Sequence, residues 1–295
     1  MYSLQDLKMQ RCFAAIKPEA KRILEIGCGD GTYINAVKHR YATAETFGCD
    51  INIDGITQAQ KKDGETKHLV CDAVFLPYKG ETFDMIIIID VLEHILDIKS
   101  ALKEIYRVLK KEGKLYCHIP CEGQPFTIQW FLWKLRLPGH KLKEEICGHV
   151  QRFTFDTIDH LTKLNKFEIN SIEYMYHPIG QISDIFIYIF RNIEIKILSW
   201  IPLDIKQKII NIYKRYKTNE KDNKIFSTLI PLIFEEIKGD YRKSPILIFF
   251  VIILILIRVS NRVISLPLSL LSYYESKLFH KQGLAMSIDV VCRKS

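Results

Sequence analysis

The run Met85-Ile86-Ile87-Ile88-Ile89 constrains this chain more than any other stretch, because it has no polar alternation. A strand with one wet face alternates apolar and polar residues. One that is apolar at every position is buried on both faces, as in a parallel sheet covered by helices on each side. The neighbouring segments agree. Strand patterns fall at Arg22 to Ile26, Thr43 to Cys49, Lys67 to Cys71, Phe83 to Ile89 and Lys114 to Ile119. Helical spacing fills the gaps at Thr32 to His39, Ile53 to Lys61 and Ile98 to Leu109. A helix from about Ser3 to Lys17, stopped by Pro18, precedes them, and a helix near Phe155 to Leu164 and a strand near Phe167 to Tyr176 follow. This alternation predicts a doubly wound α/β domain over residues 1–178.

Residues 179–282 differ in kind: they are rich in Ile, Leu, Phe and Lys and almost without glycine. A strand pattern returns only at Ala285 to Cys292. The expected organisation is therefore a helical insertion at 179–282, with 283–295 as a final strand that rejoins the first domain. A chain of 295 residues that is 48% hydrophobic can bury a sizeable core, which excludes general disorder. Its +8 charge is unevenly spread. Residues 1–178 carry 24 basic and 24 acidic side chains, and residues 179–295 carry 18 and 10. The surplus points the back of the chain, not the front, toward an anionic partner.

Ile205 to Tyr216 has the spacing of a basic amphipathic helix, and Ile246 to Ile257 is a run of twelve apolar residues between Arg242, Lys243, Arg258 and Arg262. As a helix that run spans roughly 18 Å, against roughly 30 Å for a bilayer core, so it suits an interface better than a crossing. Phe186 to Trp200 and Val263 to Leu271 add apolar surface, with Trp200, Tyr273 and Tyr274 at the level of lipid head groups. Peripheral membrane contact is thus expected through residues 185–275; the alternative is a soluble lid or a dimer surface.

The first strand ends in Glu25-Ile26-Gly27-Cys28-Gly29-Asp30-Gly31 and opens a helix, which supplies a tight turn, close backbone approach and free amides. A dinucleotide loop places its third glycine at position 32, where Thr32 stands. Glu25 repels a pyrophosphate and suits a ligand that carries an ammonium and a sulfonium. Asp50, followed by Ile51 at the end of the second strand, is placed for ribose hydroxyls. Asp72-Ala73 after the third strand can meet an adenine amino group, and Asp90 ends the fourth strand. Any one of these alone reads as a turn or a helix cap; together, at consecutive strand ends, they read as a nucleoside site.

These residues, with Leu76-Pro77, Thr82-Phe83-Asp84, Asp90-Val91-Leu92-Glu93-His94 and Arg107-Val108-Leu109-Lys110 before Gly113, make the chain resemble the class I S-adenosylmethionine-dependent methyltransferases of the ubiquinone/menaquinone-biosynthesis type, over residues 20–178. The resemblance implies a Rossmann-like seven-stranded sheet whose last strand, Ala285 to Cys292, is antiparallel. It also implies S-adenosyl-L-methionine as donor: Glu25, Gly27, Cys28, Gly29 and Gly31 at its methionine end, Asp50 and Ile51 at the ribose, Asp72 and Ala73 at the adenine, and Asp90 beside the methyl group.

Methyl transfer is an in-line displacement, and a base is needed only where the acceptor must lose a proton. The resemblance gives His94 a shaping role beside the donor and puts His149, in Gly148-His149-Val150-Gln151-Arg152-Phe153, in the acceptor pocket as the candidate base. Pro120-Cys121 suggests a thiolate nucleophile only weakly, since the companion Pro-Cys after the fourth strand is missing. Cys117, Cys121, Cys147 and His149 match no common zinc spacing, so no metal site is expected.

The eight cysteines form no Cys-x-x-Cys pair, and the N-terminus has no basic segment followed by an apolar one. A reduced, cytoplasmic chain, peripheral on the inner face of the cell membrane, is expected. The acceptor is then a small molecule or a lipid, O- or C-methylated, with no nucleic-acid partner. The competing readings are an RNA or protein methyltransferase that grips its polymer with the basic insertion, and a scaffold without catalysis.

Overall fold

The computed structural model describes residues 3–62, 64–137, 141–200, 267–281 and 285–294, and single positions at 253, 257, 260 and 264. Helix α1 (Leu4–Ala15) starts at a capping box in which Ser3 and Asp6 satisfy each other's backbone amides. Then come β1 (Arg22–Ile26), α2 (Thr32–Arg40), β2 (Glu45–Asp50), α3 (Ile53–Lys62), β3 (Lys67–Val70), β4 (Phe83–Ile89), α4 (Ile98–Val108) and β5 (Leu109–Pro120). Two short helices, α5 (Ile128–Lys134) and α6 (Leu142–Cys147), precede α7 (Phe155–Leu164) and β6 (Phe167–Met175). Helix α8 (Pro178–Trp200), a helix over 267–278 and β7 (Ser287–Lys294) complete the described chain.

The seven strands form one sheet in the order β3-β2-β1-β4-β5-β7-β6. Strands β1 to β5 run parallel, and β7 is antiparallel to both neighbours. This is the Rossmann-like methyltransferase sheet that the sequence leads one to expect. Strand β4 lies at its centre. Ile86 and Ile88 enter the core beneath α4, with Leu102 and Ile105, while Met85, Ile87 and Ile89 enter the opposite core with Ala15, Ile23 and Ile34. Burying each such side chain contributes roughly 1.5–3 kcal/mol, so a polar residue at any of the five would disrupt one layer or the other.

Three differences from the sequence expectation have local causes. Strand β5 begins at Leu109, five residues before the expected start, because Lys110 reaches Asp84 (Nζ to Oδ1, 2.7 Å) across a register shift in the β4–β5 pairing. Helix α5, where no element was expected, is nucleated by Thr127, whose hydroxyl accepts from the Trp130 amide. Tyr273 is only 2% exposed and packs with Leu4, Leu7 and Met175, so it cannot sit at a head-group surface; Tyr274 is half-exposed.

The chain's contacts divide it into one unit of Met1–Ser183 with Leu268–Ser295 and another of Asp184–Pro267. In the second unit, α8 leaves Phe186, Ile187, Ile189, Ile193 and Ile195 exposed. Among the described residues no helix is long and apolar enough to cross a membrane. The expected segment Ile205 to Tyr216, most of Ile246 to Ile257 and the Trp200 side chain lie outside the described residues, as do Val263, Ser265 and Leu266.

Candidate active site

The carboxyl ends of β1, β2 and β4 meet in a loop that needs its glycines. Gly27, Gly29 and Gly31 all have positive φ (73°, 51° and 78°), where a side chain is strained. A Cβ on Gly27 would also lie 2.1 Å from Val91 Cγ2, so the loop closes directly on the segment after β4. Gly29 is different: its Cβ direction meets nothing within 4 Å, leaving its backbone open to a ligand. The Gly27 and Cys28 amides both donate to the Cys49 carbonyl, at 2.7 and 3.0 Å, which fixes the loop to the end of β2.

Asp50 is held from both sides. Its Oδ2 accepts from the Gly29 amide at 2.8 Å and its Oδ1 from the Asn52 amide at 2.8 Å. Beside it Ile51 is 72% exposed, and Leu69, Val70 and Phe75 are likewise exposed apolar side chains. Asp72, exposed after β3, accepts from the Val74 amide (3.1 Å), and Ala73 is buried. An open glycine backbone, a rigid carboxylate and unburied apolar side chains next to them fit a nucleoside with a charged tail.

Glu25 behaves differently from an exposed counter-ion. It is 2% exposed, its Oε2 accepts from the Ile34 amide in the first turn of α2 (2.9 Å), and burial pushes its carboxyl up to about 8 despite that bond.

Asp90, 45% exposed with φ 54°, is paired instead of free. The surrounding protein opposes its charge, but Lys8 Nζ at 2.6 Å and His118 Nε2 at 3.6 Å outweigh this and hold it near 2. His118 donates from Nδ1 to the buried Asp289 (2.6 Å), which also takes the Tyr116 hydroxyl (2.8 Å) and Arg11 Nη1 (2.7 Å). Lys8, Arg11, His118 and Asp289 were missed by sequence reasoning. The signal was present: Lys8 and Arg11 fall in the stripe of Leu4, Leu7, Cys12 and Ala15, and Asp289 interrupts Ile288 and Val290. Charges inside buried stripes need partners.

A second cluster lies beyond Asp90. His94, in a 3-10 turn over Leu92–His94, and His149, before α7, stack edge to face with centroids 4.9 Å apart. His149 donates from Nδ1 to Glu122 Oε1 (2.7 Å) and His94 from Nδ1 to the Gly148 carbonyl (3.2 Å). Burial works against a charged His149, yet its bonds to Cys147 and Glu122 carry it up to about 9. It is therefore mostly an imidazolium at neutral pH, and a base role requires that proton to leave first. Cys121 is wholly buried with its thiol pushed well up, which removes the thiolate reading.

A sequence model described as a methyltransferase domain matches residues 24–117, the stretch that carries every cofactor position named above. Residues 24–117 thus carry a methyltransferase domain, and the chain is similar to the class I S-adenosylmethionine-dependent methyltransferases. The family's methyl donor is S-adenosylmethionine, and its members of the ubiquinone/menaquinone type are among the relatives. The demethylmenaquinone methyltransferase of Lactiplantibacillus plantarum is 33% identical over 140 residues, 41% of this chain and 58% of that one. The tRNA (carboxymethyluridine(34)-5-O)-methyltransferase alkbh8 of Xenopus tropicalis is 29% identical over 110 residues, 36% of this chain and 17% of its own. Both matches take in under two thirds of the relative's length. Among solved structures, the [4+2]-cyclase SpnF superposes with a TM-score of 0.52 at 14% identity, covering 99% of this chain and 79% of its own, a likeness of fold alone.

Proposed function

We propose that this protein transfers a methyl group from S-adenosyl-L-methionine to oxygen or carbon of a small-molecule or lipid-like acceptor at a membrane surface. The observation that carries the donor half is Asp50, whose two oxygens are each oriented by one backbone amide, next to the open Gly29 backbone. In this reading Asp50 takes the ribose hydroxyls beside Ile51, Asp72 and Ala73 take the adenine, Gly27 to Gly31 line the methionine end, and Glu25 answers its ammonium. Asp90 with Lys8 sets the charge beside the transferred group. The donor supplies an electrophilic methyl on a sulfonium; the chain's work is to align the acceptor and exclude water. His94 and His149 shape the acceptor side.

The acceptor half rests on the basic surplus of residues 179–295 and the exposed apolar residues of α8. It agrees with the quinone-type relative, whereas the tRNA-type relative and the same surplus support RNA as the second reading. Asp50→Ala should weaken donor binding about 10-fold to 100-fold in calorimetry, since charged hydrogen bonds contribute roughly 1.5–3 kcal/mol each. Unchanged affinity would remove the site.

A further inference from the structure

We propose that Glu93, His94 and His149 form a binding site for a divalent first-row transition-metal ion of the zinc type. The three offer one ligand atom each, all within 4.8 Å of one another. His94 Nε2 lies 3.9 Å and His149 Nε2 4.0 Å from Glu93 Oε1. Metal–ligand bonds near 2.1 Å place tetrahedral neighbours about 3.4 Å apart, so the two Glu93–histidine edges need to close by about 0.6 Å and no edge by more than about 1.4 Å.

Two independent features point to a cation here. Glu93 is 1% exposed, and neither of its carboxylate oxygens has a hydrogen-bond partner among the described residues, although its backbone carbonyl holds the amides of Val150 and Gln151. A buried carboxylate aimed at two imidazoles, without a donor of its own, is a costly arrangement that a bound cation relieves. Secondly, each histidine is oriented as a ligand, and binding of the ion displaces the Nε2 proton that His149 carries at neutral pH. The Nδ1–H of His149 is anchored on Glu122 and that of His94 on the Gly148 carbonyl, which leaves both Nε2 atoms to face Glu93. A carboxylate or carbonyl behind a histidine is the usual support of a metal-bound imidazole.

Two nitrogens and one carboxylate oxygen suit zinc, iron, cobalt or nickel better than magnesium or calcium. Three protein ligands leave a coordination position open, the pattern of reactive sites and not of closed structural ones. His94 is part-exposed, which gives the ion a way in. Resting on the function proposed above, the open position takes an acceptor hydroxyl and favours loss of its proton to solvent.

Metal-free full-length protein titrated with Co2+ in a calorimeter, with d–d absorption followed in parallel, tests the site. One ion per chain is expected in wild type and in Cys147→Ser, which controls for the nearby thiol. His94→Ala and His149→Ala should lose that binding while native circular dichroism is retained. Glu122→Gln, which keeps all three ligands, should weaken it about 10-fold to 100-fold. Absence of binding by wild type, or equal binding by wild type, His94→Ala and Glu122→Gln, overturns the proposal. Donor titration in the same samples separates the two readings: cobalt binding without donor binding leaves the metal site standing and removes the methyltransferase, and the reverse removes only the metal.

Discussion

Glu25 shows how one residue's surroundings alter the role its position suggests. Two residues before the first glycine, it reads as a fixed negative charge for the donor's ammonium; buried beneath α2 and held near 8, it is mostly neutral at pH 7. A bound ammonium would favour the charged form, so the pair forms only as Glu25 gives up its proton. The sign follows. The free protein has the higher value and the complex the lower, so donor affinity is full above about pH 8 and falls by about tenfold per unit below it, until the pH reaches the value in the complex. Calorimetry at pH 7 in two buffers of different ionisation enthalpy should register close to one proton released per donor bound, and Glu25→Gln should abolish that release. A binding enthalpy independent of buffer would mean that Glu25 does not meet the ammonium.

At the scale of elements, helix α1 is fastened to the sheet by charge as well as by apolar packing. Arg11 donates to Asp289 on β7 and pairs with Glu173 on β6 (2.6 Å), Lys8 pairs with Asp90 at the end of β4, and His118 on β5 joins the two acids. Removing one partner from a buried charged network costs about 3–5 kcal/mol, because the others keep their desolvation without compensation. Asp289→Ala should therefore lower unfolding stability by that amount in denaturant melts, whereas Glu45→Ala, which removes an exposed, solvent-screened surface pair with Arg22 and Lys67, should leave it nearly unchanged. Equal effects would show that the network does not hold α1. This fastening also marks the limit of what the sequence discloses. Apolar β4 and the Gly27 to Gly31 turn were legible because each signal is local: a run with no polar break, glycines at fixed spacing. The partnership of Lys8 with Asp90, 82 residues apart, and of Arg11 with Asp289, 278 apart, depends on sheet order, which no local window contains. The early start of β5 escaped for the same reason, since Lys110 to Gly113 reads as a turn until Asp84 lies opposite.

Over the whole molecule, net charge is divided between a neutral front and a basic back. Residues 1–178 balance 24 bases against 24 acids, and the surplus of eight charges lies beyond them, on the same part of the chain as the unburied isoleucines of α8. Either feature alone is weak: exposed apolar side chains are common on soluble proteins, and net charge draws any polyanion. Together they favour a surface that is both anionic and apolar beneath, which a bilayer is and an RNA is not. Lys and Arg near an anionic leaflet each contribute about 1 kcal/mol, and this contribution decays within the Debye length, about 3 Å at 1 M salt. The full-length chain should therefore float with vesicles containing phosphatidylserine at low salt and bind phosphatidylcholine vesicles much less, and 1 M salt should weaken binding to the first without abolishing it, because the apolar part is not screened. Release that is complete in salt would reduce the contact to electrostatics alone. No flotation, with salt-sensitive retention of tRNA in its place, would overturn the membrane reading and transfer the basic surplus to the polymer-binding alternative.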